Sequence, residues 1–349
     1  LFCAVVLSFM AAPEMMGVTS MCRFWLWHER GYHSLLHFFR SRAYGYGELL
    51  GVWQRFVLDQ GVAVEVEGRC VVLGDHTRVV KDGGRMPGVV SLRETSETQR
   101  KPSYFRGQCW GAVGLVIGSL AGCFCLPLEL RIHQGFKHPG EEQPEPPATR
   151  PNLAERVVQM ALNFAVGYNR PIVLVLDAYF GIGAVFRLAR SVYSIVFKQP
   201  YMMVLTRAIK NTVGYFQAPP KPPGRRGPQA LYGEKVYLRE CFDYPHLFQT
   251  VECQVYGKTE AVQLMSVGLL WKPPGDWLLF VLAITSRGPI VLMCSDLRLS
   301  PLTAVELYCI RPRIELMFDG LKTLIGAFRF RFWTQKLPRH SRRPTSNRH

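Results

Sequence analysis

The run Cys70-Val71-Val72-Leu73-Gly74 leads into Asp75, and Ile172-Val173-Leu174-Val175-Leu176 leads into Asp177. Continuous apolar runs of this kind are expected for strands buried on both faces. A charge carried to the end of such a strand is expensive unless something compensates it, so these two carboxylates are candidates for chemistry rather than packing. Near the other end of the chain, Arg311, Glu315 and Lys322 follow Tyr308 at offsets of 3, 7 and 14 residues. At 100° per residue an unbroken helix would hold all four side chains within roughly a 60° arc. One face would then present a phenol, two cations and a carboxylate, although Arg311 and Glu315, four apart, also make an ordinary exposed ion pair.

The elements that must position these groups are legible in part. Residues 20–60 space aromatic and leucine side chains as amphipathic helices do, among them Trp25, Leu35, Phe39, Leu49, Trp53 and Phe56. They predict a helical N-terminal domain over 1–62; a stripe of this kind is more often core than function and assigns no individual contacts to a polyanion, although Arg40, Arg42 and Arg55 are of a type to make them. From Val64 the pattern changes to short strand-like runs. Asn152 with Glu155 three residues on resembles a capping box, and Leu153, Val157, Met160, Ala161 and Phe164 continue as a helical stripe. A helix over Ala184 to Phe197 and a strand over Tyr201 to Leu205 then give an alternation of β, α and β, implying a partly parallel sheet. The Pro-rich segments 137–151 and 219–227 read as loops, and 234–296 mostly as strands with Gly and Pro turns. Ser300 followed by Pro301 marks a helix start.

Composition limits the function classes. The 349 residues are 48% hydrophobic, enough for real cores. Lys and Arg total 42 against 26 Asp and Glu, a formal charge of +16 that points to a polyanionic partner. After Asp319 the chain carries Lys322, Arg329, Arg331, Lys336, Arg339, Arg342, Arg343 and Arg348 with no acidic residue, which reads as a phosphate-binding arm or a solvated basic tail. The ten cysteines are scattered, and Cys123 and Cys125 have neither zinc-knuckle nor thioredoxin spacing, so a reducing cytoplasm and no structural zinc are expected. The apolar start, Leu1 to Met16, lacks a basic region and makes a poor signal peptide; the missing initiator Met suggests a fragment or an unusual start codon. Gln108 to Leu128 carries no charge over a length that could span a bilayer, but Gly118, Ser119 and Gly122 in its middle suit a turn between strands at about 109–117 and 123–130.

The order Tyr308, two residues, Arg311, three residues, Glu315, six residues, Lys322 resembles the Y-R-E-K signature of bacterial insertion-sequence transposases of the DDE class. The resemblance runs through most of the chain. Gly74-Asp75-His76-Thr77, followed by the basic, Gly-rich 81–88, looks like the family's first-aspartate region, and Leu126-Pro127-Leu128 like the strand after it. Leu176-Asp177-Ala178-Tyr179 looks like the second-aspartate strand, Ser295 to Ser300 like the lead-in to the glutamate helix, and Phe330-Arg331-Phe332-Trp333 like the aromatic segment that follows.

This resemblance implies an α/β, RNase H-like mixed sheet flanked by helices, with core segments at 63–207 and 295–335, a β-rich insertion over 208–294 and a basic tail over 336–349. It implies metal-dependent cleavage of transposon ends and strand transfer into target DNA by a bacterial, nucleoid-associated protein. The partners would be double-stranded DNA, at the inverted repeats and at the target, and a second copy of the chain; no membrane is implied. Asp75, Asp177 and Glu315 would hold two Mg²⁺ ions, with Mn²⁺ able to substitute. Asp75 would bridge the ions, and Tyr308, Arg311 and Lys322 would contact DNA phosphates. Asp82 and Asp319 are alternatives for the first and third acidic positions. One departure bears on activity: Pro312 stands where the family usually has an aromatic, and a proline inside a helix costs about 3 kcal/mol. The helix should kink or restart there, taking Tyr308 off the face that Glu315 and Lys322 share. A catalytically inactive or truncated DNA-binding descendant is the alternative reading.

Overall fold

The computed structural model describes residues 1–11, 17–41, 43, 45–81, 86, 88–93, 104–133, 151–222, 224 and 226–330. Asp82, Arg42, the loop 137–150 and the tail from Arg331 lie outside them.

The chain opens on four helices, α1 (Phe2–Ala11), α2 (Val18–Phe24), α3 (Glu29–Arg40) and α4 (Tyr46–Asp59). The first three close a small core around Val5, Met21 and Leu35. Helix α4 instead docks on the main sheet. Trp53 donates to the Pro127 carbonyl at 2.7 Å, Tyr46 to that of Leu130 at 3.0 Å, and Val57 enters the large core.

The next elements are β1 (Glu65–Val66), β2 (Arg69–Val80), β3 (Val90–Arg93), β4 (Tyr104–Gly118), β5 (Cys123–Ile132), α5 (Leu153–Gly167), β6 (Ile172–Leu176), α6 (Gly183–Ala189), β7 (Tyr193–Ser194), β8 (Gln199–Pro200) and β9 (Met202–Arg207). The uncharged 108–128 stretch forms most of the β4–β5 hairpin, with Gly118 at φ +99° in the turn, a conformation glycine adopts without strain. No helix among the described residues is long and apolar enough to cross a membrane. The capping box forms as expected: Glu155 N–H donates to the Asn152 side chain and Asn152 N–H to that of Glu155, both at 2.9 Å. The helix expected over 184–197 is shorter. It ends at Ala189, and residues 193–200 turn back as the β7–β8 hairpin, because Tyr193, Ile195 and Val196 point to solvent and offer no helical stripe to bury.

Strands β10 (Val213–Gln217), β11 (Tyr232–Tyr237), β12 (Gln249–Val255), β13 (Lys258–Trp271), β14 (Asp276–Thr285) and β15 (Gly288–Cys294) follow, then α7 (Pro301–Cys309) and α8 (Arg313–Thr323). Ser300 is the N-cap of α7 with Pro301 first in the helix, although its hydroxyl makes no capping bond. The β-rich stretch continues the main sheet instead of standing apart. The strand order is β11-β10-β13-β14-β15-β9-β6-β2-β4-β3, with β1 on β2, β12 on β13 and β5 on β4. The join is made by β15, which pairs antiparallel with β9 from Leu292↔Arg207 to Cys294↔Leu205. Pairs β2–β6 and β6–β9 are parallel, and the other pairs of this sheet are antiparallel. The protein is thus a mixed α/β structure with one large mixed sheet flanked by helices.

Both faces of the central strands are buried. Alternation sends Val72, Leu174 and Val204 towards α5 and α6, and Val71, Leu73, Val173, Val175 and Leu205 towards α7 and α8. All five residues of β6 are fully buried, as the unbroken apolar run requires. All ten cysteines are free.

Candidate active site

The same alternation aims the acidic residues. Asp75 and Thr77 continue the Val71-Leu73 series of β2, and Asp177 continues the Val173-Val175 series of β6, so all three face the layer of α7 and α8. Asp75 is not at a strand end, contrary to expectation. Strand β2 runs on to Val80 because β4 pairs with it along its whole second half, with Asp75 opposite Ala112. What ends is the parallel pairing with β6, whose last partners are Leu73 and Val175. Asp75 therefore stands one step beyond the closed part of the parallel sheet, beside the terminus of β6. Asp177 caps the single 3₁₀ turn Ala178–Phe180 by accepting from Tyr179 N–H at 2.9 Å, and its carbonyl accepts from Thr206 at 2.5 Å.

The helix that should carry the signature is broken, as Pro312 predicts. Helix α7 stops at Cys309, and α8 starts at Arg313 with Pro312 as its N-cap. Between them the amides of Arg311, Arg313 and Ile314 bond three residues back, to Tyr308, Ile310 and Arg311, so the chain passes through a tight 3₁₀-like step. Two consequences follow. Tyr308 is turned into the core, only 9% exposed among residues of the α7 and α8 layer. Arg311 is left on the connection, facing the strand ends.

There Arg311 gathers all three carboxylates. Its Nη2 is ion-paired to Asp75 Oδ2 and lies 3.6 Å from Asp177 Oδ2, while Nη1 donates to Glu315 Oε1 at 2.5 Å. Its Nε is buried without a hydrogen-bond partner among the described residues. The Arg311 and Asp75 side chains are 14% and 15% exposed, Asp177 34%, and Glu315 59%. Glu315 lies in the first turn of α8, where the helix dipole favours an anion. Lys322, two turns on, donates to Thr77 Oγ1 at 2.7 Å. The site thus joins Asp75, Thr77, Asp177, Arg311, Glu315 and Lys322, with Tyr308 buried beside it, near enough for the charges of Arg311 and Asp177 to act on its hydroxyl.

Burial dominates the electrostatics. It pushes the Asp75 carboxyl up to about 6, with Arg311 pulling down and Asp177 pushing further up. Burial also raises Asp177, against Arg311. Burial works against the charge on Arg311, but the three carboxylates outweigh it and hold its affinity for the proton above the ordinary value. One monocation facing three carboxylates leaves a site that still attracts positive charge.

Carboxylate oxygens are the donors Mg²⁺ and Mn²⁺ prefer, so the residues fit these ions in kind. Side chains that share one guanidinium are also far inside the roughly 10 Å beyond which a two-metal site could not be shared. In position they close on Arg311: among the described residues no three His, Cys, Asp or Glu side chains are arranged to hold a metal ion. Loading the site would require Arg311 to give up its carboxylates.

Sequence reasoning missed the histidine pair behind Asp75. His76 points to the opposite face of β2, stacked on Phe180 at 5.6 Å, and its Nε2 lies 3.3 Å from His133 Nδ1. His133 in turn contacts Met160 Sδ at 3.2 Å. Burial pulls His76 down to about 4, so it is a neutral packing group at ordinary pH. Its place after Asp75 was visible in the chain, but nothing in the spacing pointed to His133. A Cβ on Gly111 would overlap the His133 ring. Gly111→Ala is therefore expected to cost about 1–3 kcal/mol in urea denaturation, and a second change, His133→Ala, should recover part of the loss by emptying the space.

Asp319 is in α8 one turn beyond Glu315, but no ion pair joins it to Arg311 among the described residues. Asp296, in the lead-in to α7, is tied elsewhere: Arg69 at the start of β2 donates to it at 2.7 Å. It clamps the far end of the strand. Compared with protein-family models and with curated proteins, the chain matches none.

Proposed function

We propose that this protein is a DDE-type DNA transposase with an RNase H-like core, which cleaves DNA at the ends of a mobile element and joins the freed 3′-hydroxyl to target DNA. The observation that carries the reading is the meeting of Asp75, Asp177 and Glu315, from three elements far apart in the chain, on the single guanidinium of Arg311. Support for the core comes from the order β5-β4-β2-β6-β9, an antiparallel trio continued by two strands parallel to β2.

Asp75, Asp177 and Glu315 would hold two divalent cations, which when bound supply an activated water and a stabilised leaving oxygen for in-line displacement. The chain's own cations do the rest. Arg311, once released, and Lys322 would pair with phosphate oxygens beside the cleaved bond, and charge-assisted bonds of this kind would fix the strand and offset its developing charge. Tyr308, buried behind Arg311, would reach a phosphate only if α7 shifts. The formal charge of +16 supplies long-range attraction for DNA, and a second copy of the chain would bring the two element ends together.

Asp177→Asn keeps the cap on Tyr179 N–H but removes the charge. It is expected to lower Mg²⁺-dependent cleavage of DNA carrying the element's inverted repeats by roughly 10³-fold, several kcal/mol, and to leave DNA binding intact in a mobility-shift titration. Unchanged cleavage would sink the site. The arginine seated among the carboxylates favours a second reading, a DNA-binding descendant without catalysis. Specific binding by the native chain with no cleavage at any Mg²⁺ or Mn²⁺ concentration would select it.

A further inference from the structure

A cavity of about 580 Å³ opens on the far side of Asp177, beginning at Ala178, between the end of β9, the start of β15 and the segment after β11. Its floor is apolar, formed by the buried side chains of Ala208, Leu238 and Val291. Its rim carries Lys210 and Arg239, both solvent-exposed, and no carboxylate among the described residues lines it; the guanidinium of Arg207, which also borders it, lies on the other face of the sheet and acts on Tyr308 and Tyr256. Neither Lys210 nor Arg239 forms a salt bridge with a described residue. One wall is aromatic: Phe242 lines the cavity with its ring stacked on Phe248, centroids 5.5 Å apart and planes 22° from parallel.

Two cations at one opening, with no salt bridge to a described residue, make it attractive to an anion. An apolar floor beneath them is of no use to a bare inorganic anion, which would lose hydration against it. A ligand that satisfies both halves has phosphate at the rim and a flat, weakly polar body against the floor and the Phe242 wall, where an aromatic ring can stack. The volume lies within the range of small-ligand sites. We propose that this cavity is a nucleotide-binding site, taking a phosphorylated nucleoside either free or as a unit of a polynucleotide strand. It stands on residues separate from the carboxylate centre and needs no metal.

The test is calorimetric titration of the native chain with AMP, adenosine, pyrophosphate and a 5′-phosphorylated oligothymidylate. AMP or the oligonucleotide is expected to bind, with adenosine and pyrophosphate weaker because each lacks one half of the ligand. The double variant Lys210→Ala/Arg239→Ala, changed only at exposed side chains, should lose at least about tenfold in affinity. Binding of the oligonucleotide without AMP assigns the strand as source, and tight AMP binding assigns the free nucleotide. The proposal is overturned if neither binds, if pyrophosphate binds as well as AMP, or if the double variant, with a native near-ultraviolet spectrum, binds unchanged. Asp177→Asn should bind AMP or oligonucleotide as the native chain does, so loss of cleavage there and failure of this cavity are read separately.

Discussion

Replacing Arg311 with alanine is expected to make the metal-free protein less stable and, at the same time, a better binder of divalent cations. In the native chain one guanidinium pairs with Asp75 and Glu315 and lies 3.6 Å from Asp177. Removing one partner of a mostly buried ion pair leaves uncompensated charge, which typically costs about 3–5 kcal/mol; the partial exposure of Asp177 and Glu315 argues for the lower end. The same deletion removes the competitor that any cation must displace. Mn²⁺ should therefore bind Arg311→Ala without DNA at least about tenfold more tightly than the native chain. Because a ligand that binds only the folded state stabilises it by about 2.7 kcal/mol at a hundredfold excess over its dissociation constant, added Mg²⁺ should recover most of the lost stability. Paramagnetic resonance of free Mn²⁺ and urea denaturation with and without Mg²⁺ read the two effects independently of catalysis. If the variant binds Mn²⁺ no better than the native chain, the carboxylates do not form a cation site and Arg311 is their permanent counter-ion.

Much of this centre could be read from the chain because its parts follow simple periods. The five-residue apolar run before Asp177 fixed β6 and the end at which its carboxylate emerges; that Asp75 and Asp177 share a face depends on the parallel register Leu73↔Val175. Pro312 announced the break between α7 and α8, since a residue without an amide hydrogen cannot continue the ladder. What was not legible depends on pairing between distant segments. Asp75 looks like a strand end because the apolar run stops at Gly74, yet β4, more than thirty residues on, keeps β2 extended to Val80. That the β-rich stretch extends the main sheet was not legible either, since the pairing of β15 with β9 is a contact that no local pattern encodes. The gathering of three carboxylates on Arg311 is of the same kind. The spacing shows only the bond to Glu315, four residues away, and the other two contacts depend on where the broken helix lies over the sheet.

Asp75→Asn is expected to be more stable than the native chain at pH 7.5, by about 2–3 kcal/mol, and the advantage should vanish on acidification. Burial raises the Asp75 carboxyl to about 6 from its ordinary value near 4. The folded state therefore holds a proton between those values that the unfolded chain has released. Stability associated with Asp75 is fully present below pH 4 and is lost as pH rises through 6; a shift of about two units corresponds to the figure above. His76 works in the opposite direction. Its folded value, about 4, lies below the unfolded one near 6.5, so its contribution is present above pH 6.5 and is lost as pH falls through 4. In the native chain the two slopes oppose each other between pH 4 and 6, and the stability profile there should be shallow. In Asp75→Asn the histidine slope is unmasked, and stability should fall steadily with acid over the same interval. Parallel profiles for the two proteins in urea denaturation from pH 4 to 7.5 would rule this account out. At neutral pH Asp75 is held ionised where the folded chain alone would be more stable without the charge, a cost that the proposed cation site would account for.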